Sequence, residues 1–259
     1  MNKITKQLKE QISKLPSIEE RLEVLKDKYV GKTAVIIATG PSLNDHDHEE
    51  MRNIFSKRDD LVIMPMKQAY TVSRETSDFH IQNLWSMDRK NPTKYKNIEN
   101  TISFFNVAKS YITEHLNIIV DNNHPCDMWV PCLNPPYVTD KDTIQAGNFD
   151  LLWMLGNEAQ TMWGKTILYS TAIPVALHIG CRNIITVGWD IGTGSHFYSG
   201  KDPVSTIADK PNIKETDEAI KTTPQLYDWC KNNNINIKIL SSTNPADNRF
   251  ERLNSINDI

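Results

Sequence analysis

The feature that most constrains the fold is a short apolar run that leads directly into a glycine-containing turn. Residues 33–38, with the sequence TAVIIA, are almost continuously apolar and continue into Thr39-Gly40-Pro41-Ser42-Leu43. An unbroken apolar run of this length is typical of a strand that is buried on both faces. Because such strands occur mainly in parallel sheets covered by helices, the run predicts an α/β protein.

Six further segments have the composition of strands, and stretches of helical periodicity separate several of them. These segments are residues 61–64, 79–81, 102–105, 117–120, 183–187 and 235–240. Alternating strands and helices favour a mostly parallel sheet with helices on both faces. We therefore predict a Rossmann-like α/β fold with about seven strands. The segment from Asn122 to Asp140 is rich in proline, cysteine and asparagine and is predicted to be a loop.

The amino-terminal residues have the pattern of two helices. An apolar stripe at helical spacing consists of Ile4, Leu8, Ile12 and Leu15. Ser17 and Glu20 then have the spacing of a capping box at the start of a second helix. We divide the chain into a helical N-terminal extension, residues 1–31, and an α/β domain, residues 32–259. The stripe can pack on the core or on a second copy of the chain, so a homo-oligomer is one expectation.

Composition argues against several classes of protein. The chain has 29 basic and 32 acidic residues, without the basic excess of a dedicated nucleic-acid binder. No run approaches the roughly 18 apolar residues that cross a bilayer, and the amino end does not resemble a signal peptide. The four cysteines form no CxxC pair, which supports neither a zinc site nor a disulfide framework. We expect a cytoplasmic protein with no transmembrane segment and no nucleic-acid partner.

The turn at Gly40-Pro41-Ser42-Leu43 lies where a parallel sheet binds its ligands, beyond the carboxyl end of a strand. A glycine there lets the backbone approach a phosphate or a ribose, and Ser42 can donate to oxyanions at a helix start. A tight turn with Ser42 as a helix cap explains the same residues without a ligand. Neither GxGxxG nor GxxxxGK[ST] occurs, which disfavours conventional dinucleotide enzymes and P-loop kinases.

A second candidate site follows the strand at residues 183–187, in the sequence Gly188-Trp189-Asp190. Asp190 can contact a ribose hydroxyl, a base amine or Mg²⁺, although a loop aspartate often bonds only to nearby amides. The glycine-rich segment beyond it contains His196 and Tyr198, candidates for acid–base chemistry or phosphate contact. A surface histidine without a role is the alternative. Residues 241–245, after the last strand, form a weaker candidate on the same edge.

The order of these motifs resembles that of the bacterial sialyltransferases of glycosyltransferase family forty-two. In that family a strand ends in GNGPSL, a TSG helix runs to ALGY, and the next strand ends in SGID. This chain has GPSL at residues 40–43, YSTA at residues 169–172 and GWD at residues 188–190. The resemblance spans about residues 32–250 and overlaps with the MptE-like 6-hydroxymethylpterin pyrophosphokinases, whose PDFHV strand is similar to SDFH at residues 77–80.

The resemblance implies a set of substrate-binding residues. They are Gly40, Pro41, Ser42, Leu43, Lys67, Asn83, Ser170, Thr171, Gly188 and Asp190. The chain departs from the family where Thr39 and Lys67 replace asparagines. Ile191-Gly192 also replaces a Phe-Tyr pair whose tyrosine supports the leaving phosphate in the family. Residues 192–218 correspond to the family's lid, and Pro224 to Asn232 to its final helix.

The resemblance implies a metal-independent glycosyltransferase that transfers a sugar from a CMP-activated donor to an acceptor hydroxyl, with inversion. The acceptor is a glycan or a small molecule, and a base must take its hydroxyl proton. The family's histidine base corresponds in position to Glu218, whereas His196 is the better base chemically and Tyr198 is a candidate phosphate partner. One alternative is an MptE-like pyrophosphokinase that uses ATP and Mg²⁺, with Asp190 and Asp88 as metal ligands. Another is a nucleotide-binding protein without catalysis.

Overall fold

The computed structural model describes residues 3–83, 101–108, 126–132, 151–152, 168–191, 196–197, 213–241 and 244–259. The strands in these ranges are β1 Thr33–Ile37, β2 Leu61–Pro65, β3 Phe79–Asn83, β4 Ile102–Ala108, β5 Met128–Cys132, β6 Asn183–Val187, β7 Asn236–Leu240 and β8 Glu251–Arg252. The α-helices are α1 Lys3–Ile12, α2 Ile18–Leu25, α3 His48–Ser56, α4 Tyr70–Ser73, α5 Ile173–His178 and α6 Ile213–Asn232. Short 3₁₀ turns occupy Pro41–Asp45, Lys67–Ala69 and Ile256–Asp258, and a π-helical turn, Leu168–Ala172, precedes α5.

The strands form two parallel sheets that meet between β2 and β3. One sheet has the order β2-β1-β6-β7-β8 and the other β3-β4-β5, with parallel pairing throughout both. A bridge between Met66 and Ile81 joins them, and the amide of Asp78 donates to the carbonyl of Ile63 over 2.9 Å. The predicted α/β class with a mostly parallel sheet is confirmed.

Both faces of β1 are covered, as its apolar run predicts. Ala34 and Ile36 belong to a buried cluster that includes side chains of α1, α2, α5 and α6. Val35 and Ile37 belong to a second cluster with Met51 and Phe55 of α3. Helices therefore lie on both sides of the five-stranded sheet.

The two amino-terminal helices are part of the core. Leu8 and Ile12 of the predicted stripe are buried, and the Ser17–Glu20 capping box forms. The hydroxyl of Thr5 donates to the carboxylate of Asp78 over 2.5 Å, which ties α1 to the start of β3. The buried members of the stripe are thus committed to this fold and are not available to a second copy of the chain.

One predicted loop is a strand. The structure places β5 at Met128–Cys132, inside the segment from Asn122 to Asp140. Met128 and Val130 alternate with the more exposed Trp129 and bury one face of β5 against the core, so tertiary packing outweighs the turn-forming composition around them. Pro131 is tolerated because β5 is at the edge of its sheet in the described part of the chain. The strand predicted at residues 117–120 lies outside the described residues.

The last helix begins earlier than predicted. It starts at Ile213 and not at Pro224, so the predicted lid at 192–218 overlaps the helix. Pro224 lies inside the helix and cannot donate to the carbonyl of Ile220, which accepts the hydroxyl of Thr223 over 2.8 Å instead. Of residues 192–212, the structure describes 196–197. No helix in the described ranges is long and apolar enough to span a membrane.

Candidate functional site

The carboxyl ends of β1 and β6 lie side by side at the point where the strand order reverses. β2 pairs with one edge of β1, and β6 pairs with the other. Open parallel sheets bind ligands at this kind of switch point. The loops that leave the two strands are held together, because the amide of Gly40 donates to the carbonyl of Gly188 over 2.9 Å.

Asp190 joins three of the loops at this edge. Its carboxylate accepts the Ser42 amide at 2.6 Å, the Ser42 hydroxyl at 2.7 Å and the Ser241 hydroxyl at 2.5 Å. We call Ser42, Asp190 and Ser241 the Asp190 junction. It connects the segments that follow β1, β6 and β7, so these contacts give Asp190 a structural role. A direct contact between Asp190 and a ligand stays a prediction.

Gly40 and Gly188 are required by the packing of the protein itself. A Cβ atom on Gly40 would lie 2.4 Å from a carboxylate oxygen of Asp190 and 2.5 Å from the carbonyl of Gly188. Gly188 has a φ of +67°, and a Cβ atom there would lie 2.9 Å from the carbonyl of Ala38. Leu43 was predicted to contact substrate, but its side chain is fully buried in the core below this turn. Leu43 therefore supports the loop from beneath, and its contact with a substrate stays a prediction.

The predicted base His196 lies at the carboxyl end of β1. Its Nδ1 atom is 3.3 Å from both the hydroxyl and the carbonyl oxygen of Thr39. The next residue, Phe197, donates its amide to the same carbonyl over 3.0 Å and is buried. This short part of the predicted lid is thus anchored beside Gly40. Tyr198 lies outside the described residues, and Glu218 lies on α6 with a side chain that is also outside them.

Lys67 lies at the same edge of the sheet, two residues beyond the end of β2. Thr39 has the equivalent position two residues beyond the end of β1. Its backbone has a φ of +48°, and its carbonyl accepts Nε2 of the buried His80 over 2.9 Å. The ammonium group has no hydrogen-bond or ion-pair partner among the described residues, and burial lowers the pKa of Lys67. The strained backbone and the unpaired cation are a combination typical of functional sites.

The remaining predicted contacts lie near the ends of β3 and β4. Asn83 is the last residue of β3, and its side chain, like that of Ser170, is outside the described residues. Thr171 is fully buried and accepts the side-chain amide of Asn106, from β4, over 2.5 Å. Thr171 therefore anchors the turn before α5 to the sheet, and its contact with a ligand stays a prediction.

A cavity of about 490 Å³ lies next to the Asp190 junction. We call it the C-terminal cavity, and its lining comes from residues 45–47 and 50, 240, 241 and 244, and 252–257. Of these lining residues, only Ser241 and Asn244 belong to a candidate site predicted from the sequence, at residues 241–245. Arg252 and its neighbours were missed, because they follow no strand motif and reach the cavity through tertiary packing alone.

The described residues contain no group of three or more His, Cys, Asp or Glu side chains that could hold a metal ion. Asp88, a metal ligand in the magnesium-dependent alternative, lies outside them.

Searches against protein-family models and curated proteins find no match to the chain.

Proposed function

We propose that the protein is a sialyltransferase-like glycosyltransferase that transfers a sugar from a CMP-activated donor to an acceptor hydroxyl, with inversion and without a metal. The observation that supports a phosphate-bearing donor most directly is Lys67, a partly buried cation without a partner in the described part of the chain. A desolvated charge is costly unless a group of opposite charge accompanies it. A donor phosphate at the carboxyl end of β2 supplies that charge.

Lys67 also accounts for a departure from the sialyltransferase pattern. Ile191-Gly192 stands where that family has a tyrosine that supports the leaving phosphate. As the bond to the sugar breaks, negative charge grows on the CMP phosphate, and a fixed cation stabilises it more than it stabilises the intact donor. Lys67 can serve this purpose in place of the missing tyrosine hydroxyl.

His196 is the base in this proposal. If Nδ1 carries the proton and donates to Thr39, the neutral ring has its lone pair on Nε2, which is the basic atom of that tautomer. Thr39 then fixes both the tautomer and the position of the ring beside the donor site. Glu218 remains the second candidate. The magnesium-dependent alternative is less favoured, because the Asp190 carboxylate already accepts three hydrogen bonds from Ser42 and Ser241.

Calorimetric titration of the full chain with CMP, CMP-N-acetylneuraminate and ATP with Mg²⁺ tests the proposal. We expect the two cytidine ligands to bind and Lys67→Met to weaken them about tenfold or more, the value of one charge-assisted hydrogen bond. Lys28→Met, at an exposed lysine, is the control for net charge and should bind as wild type does. Binding of ATP with Mg²⁺ alone would favour the pyrophosphokinase, and CMP binding without any sugar transfer would favour the non-catalytic alternative.

A further inference from the structure

Phe197, the residue after the candidate base, is fixed to the turn that follows β1 by both of its backbone polar groups. Its amide donates to the carbonyl of Thr39 over 3.0 Å. Its carbonyl accepts the side-chain amide of Asn44 over 3.0 Å. Because Thr39 and Asn44 flank residues 40–43 in sequence, both ends of the turn hold the backbone next to His196.

The side chain of Phe197 is a third attachment to the same turn. It is buried in the cluster that contains Leu43. Its ring contacts the ring of His48 edge to face, with 6.4 Å between the centroids and an angle of 86° between the planes. Nε2 of His48 is 3.0 Å from the carbonyl oxygen of Leu43, so His48 is itself fixed to the turn. Burial of a phenylalanine ring is favourable enough to hold a short segment in place.

The contacts of the His196 ring are weaker than those of Phe197. Nδ1 is 3.3 Å from both oxygens of Thr39, at the long end of the range for hydrogen bonds. One of these oxygens is a carbonyl, which only accepts, so the contact requires a proton on Nδ1. Thr39 thus selects the tautomer, but two long contacts hold the ring only if the adjacent backbone is fixed.

We propose that Asn44 and Phe197 are positioning residues for His196. They hold the backbone so that Nδ1 stays on Thr39 and the lone pair of the neutral ring stays on Nε2. This inference rests on the proposed function, in which His196 is the base, since a base is effective only when its basic atom is held in one orientation. Asn44 is exposed, so its amide can be removed without a change in the core.

NMR spectroscopy of the imidazole nitrogens in the full chain tests the arrangement without a nucleotide. The chain has seven histidines, and the spectrum of His196→Gln identifies the signals of His196. At about pH 8.5, where an ordinary imidazole is neutral, we expect His196 to carry its proton on Nδ1. A proton on Nε2 in the wild-type protein would overturn the proposal.

Asn44→Asp keeps the shape of the side chain but replaces the amide donor with an acceptor that repels the Phe197 carbonyl. The His196 ring should then be released and populate both tautomers. Asn44→Gln retains a donor and should restore part of the Nδ1 preference. Asn53→Asp adds the same charge at an exposed position of α3 and should leave the ring as in wild type.

Phe197→Ala removes the buried ring and should also release His196, whereas Phe197→Leu keeps an apolar side chain in the cluster and should have a smaller effect. Phe197→Leu also serves if the alanine variant does not fold. A wild-type tautomer in both Asn44→Asp and the Phe197 variant that folds would show that Thr39 alone holds the ring, and would overturn the proposal.

Hydrolysis of CMP-N-acetylneuraminate is the second readout, because it needs no sugar acceptor. Water gives its hydroxyl to the sugar and its proton to the base, and CMP leaves. Asn44→Asp should lower kcat about three- to tenfold, the value of one hydrogen bond, with KM within about twofold of wild type. A change in KM alone would contradict a positioning role. If the wild-type protein releases no CMP while the NMR results are as expected, the proposed function is contradicted and the positioning of the ring is not.

Discussion

Asp190 and Lys67 are two charged groups at the same edge of the sheet that differ in their hydrogen bonding. The carboxylate of Asp190 accepts three hydrogen bonds that connect the loops after β1, β6 and β7. The ammonium of Lys67 has no partner within the described residues. The partners of Asp190 hold the loops in place, whereas the phosphate partner of Lys67 is a proposal.

The difference has an energetic consequence. Moving a charge out of water is unfavourable, and partners must offset the cost. The amide and hydroxyls around Asp190 do so, whereas burial at Lys67 lowers its pKa with no compensating group among the described residues. Asp190 should therefore stabilise the protein, and the desolvated ammonium of Lys67 should destabilise it.

The largest effect is expected at the Asp190 junction. Asp190→Ala removes the acceptor of three donors and should lower the free energy of unfolding by about 3 kcal/mol, since bonds to charged groups contribute about 1.5–3 kcal/mol each and are not additive. Urea denaturation at pH 7 measures the loss. Asp59→Ala, at an exposed carboxylate, is the control and should change stability by less than about 0.5 kcal/mol. If Asp190→Ala unfolds like Asp59→Ala but no longer binds nucleotide, Asp190 is a ligand contact, as the sequence suggests.

The class of fold could be predicted from the sequence because the apolar pattern that indicates a buried strand lies within a few consecutive residues. The apolar run at residues 33–38 predicts a strand with both faces covered, and that is how β1 packs. The same reasoning missed β5, whose pairing with β4 outweighs the proline and cysteine around it. It also placed the start of α6 too late, because the polar first turns of that helix carry no apolar period and Pro224 resembles a helix start.

The sequence predicts which candidate residues share one edge of the sheet, but it does not predict their contacts. Gly40 was recognised from its place after β1, yet the atoms that require a glycine there belong to Gly188 and Asp190, about 150 residues away in sequence. The C-terminal cavity shows the same limit, since His46 and Arg252 come from opposite ends of the chain. Motifs predict which residues share this edge of the sheet, whereas long-range packing determines which of their side chains lack a partner among the described residues.

The next effect should occur at Gly40. Gly40→Ala places a methyl group 2.4–2.5 Å from atoms of Asp190 and Gly188, closer than carbon and oxygen can approach. We expect a loss of about 2 kcal/mol in the free energy of unfolding, within the range for overpacked sites. Gly31→Ala provides the comparison, because Gly31 has a φ of +81° but nothing within 4 Å of its Cβ position. It should lose only about 1 kcal/mol through backbone strain. Equal losses in the two variants would mean that the loops separate and accept the methyl group.

A smaller, pH-dependent effect should come from His80, which holds the carbonyl of Lys67. Burial lowers the pKa of His80 to about 3, so the native ring stays neutral while the unfolded ring takes up a proton near pH 6.5. Stability from this group is therefore present at pH 7 and is lost as the pH falls, by about 1 kcal/mol between pH 7 and 5.5. His80→Phe keeps the stacking on Tyr70 and should reduce this loss by a similar amount in urea denaturation at the two pH values. Some slope should persist, because burial lowers the pKa of His46 as well.

The smallest expected change in stability is at Lys67, and its sign distinguishes Lys67 from Asp190. Lys67→Met keeps the unbranched stem and the same backbone strain but removes the desolvated charge. The free energy of unfolding should stay unchanged or rise by up to about 1 kcal/mol, because no described hydrogen bond of the side chain is lost. Lys67→Arg restores the charge and should recover CMP affinity at least in part. A loss of more than about 1 kcal/mol in Lys67→Met, measured in the absence of nucleotide, would show that the ammonium supports the fold. Lys67 and Asp190 would then both be structural, and the unpaired cation would no longer support a phosphate site at this edge.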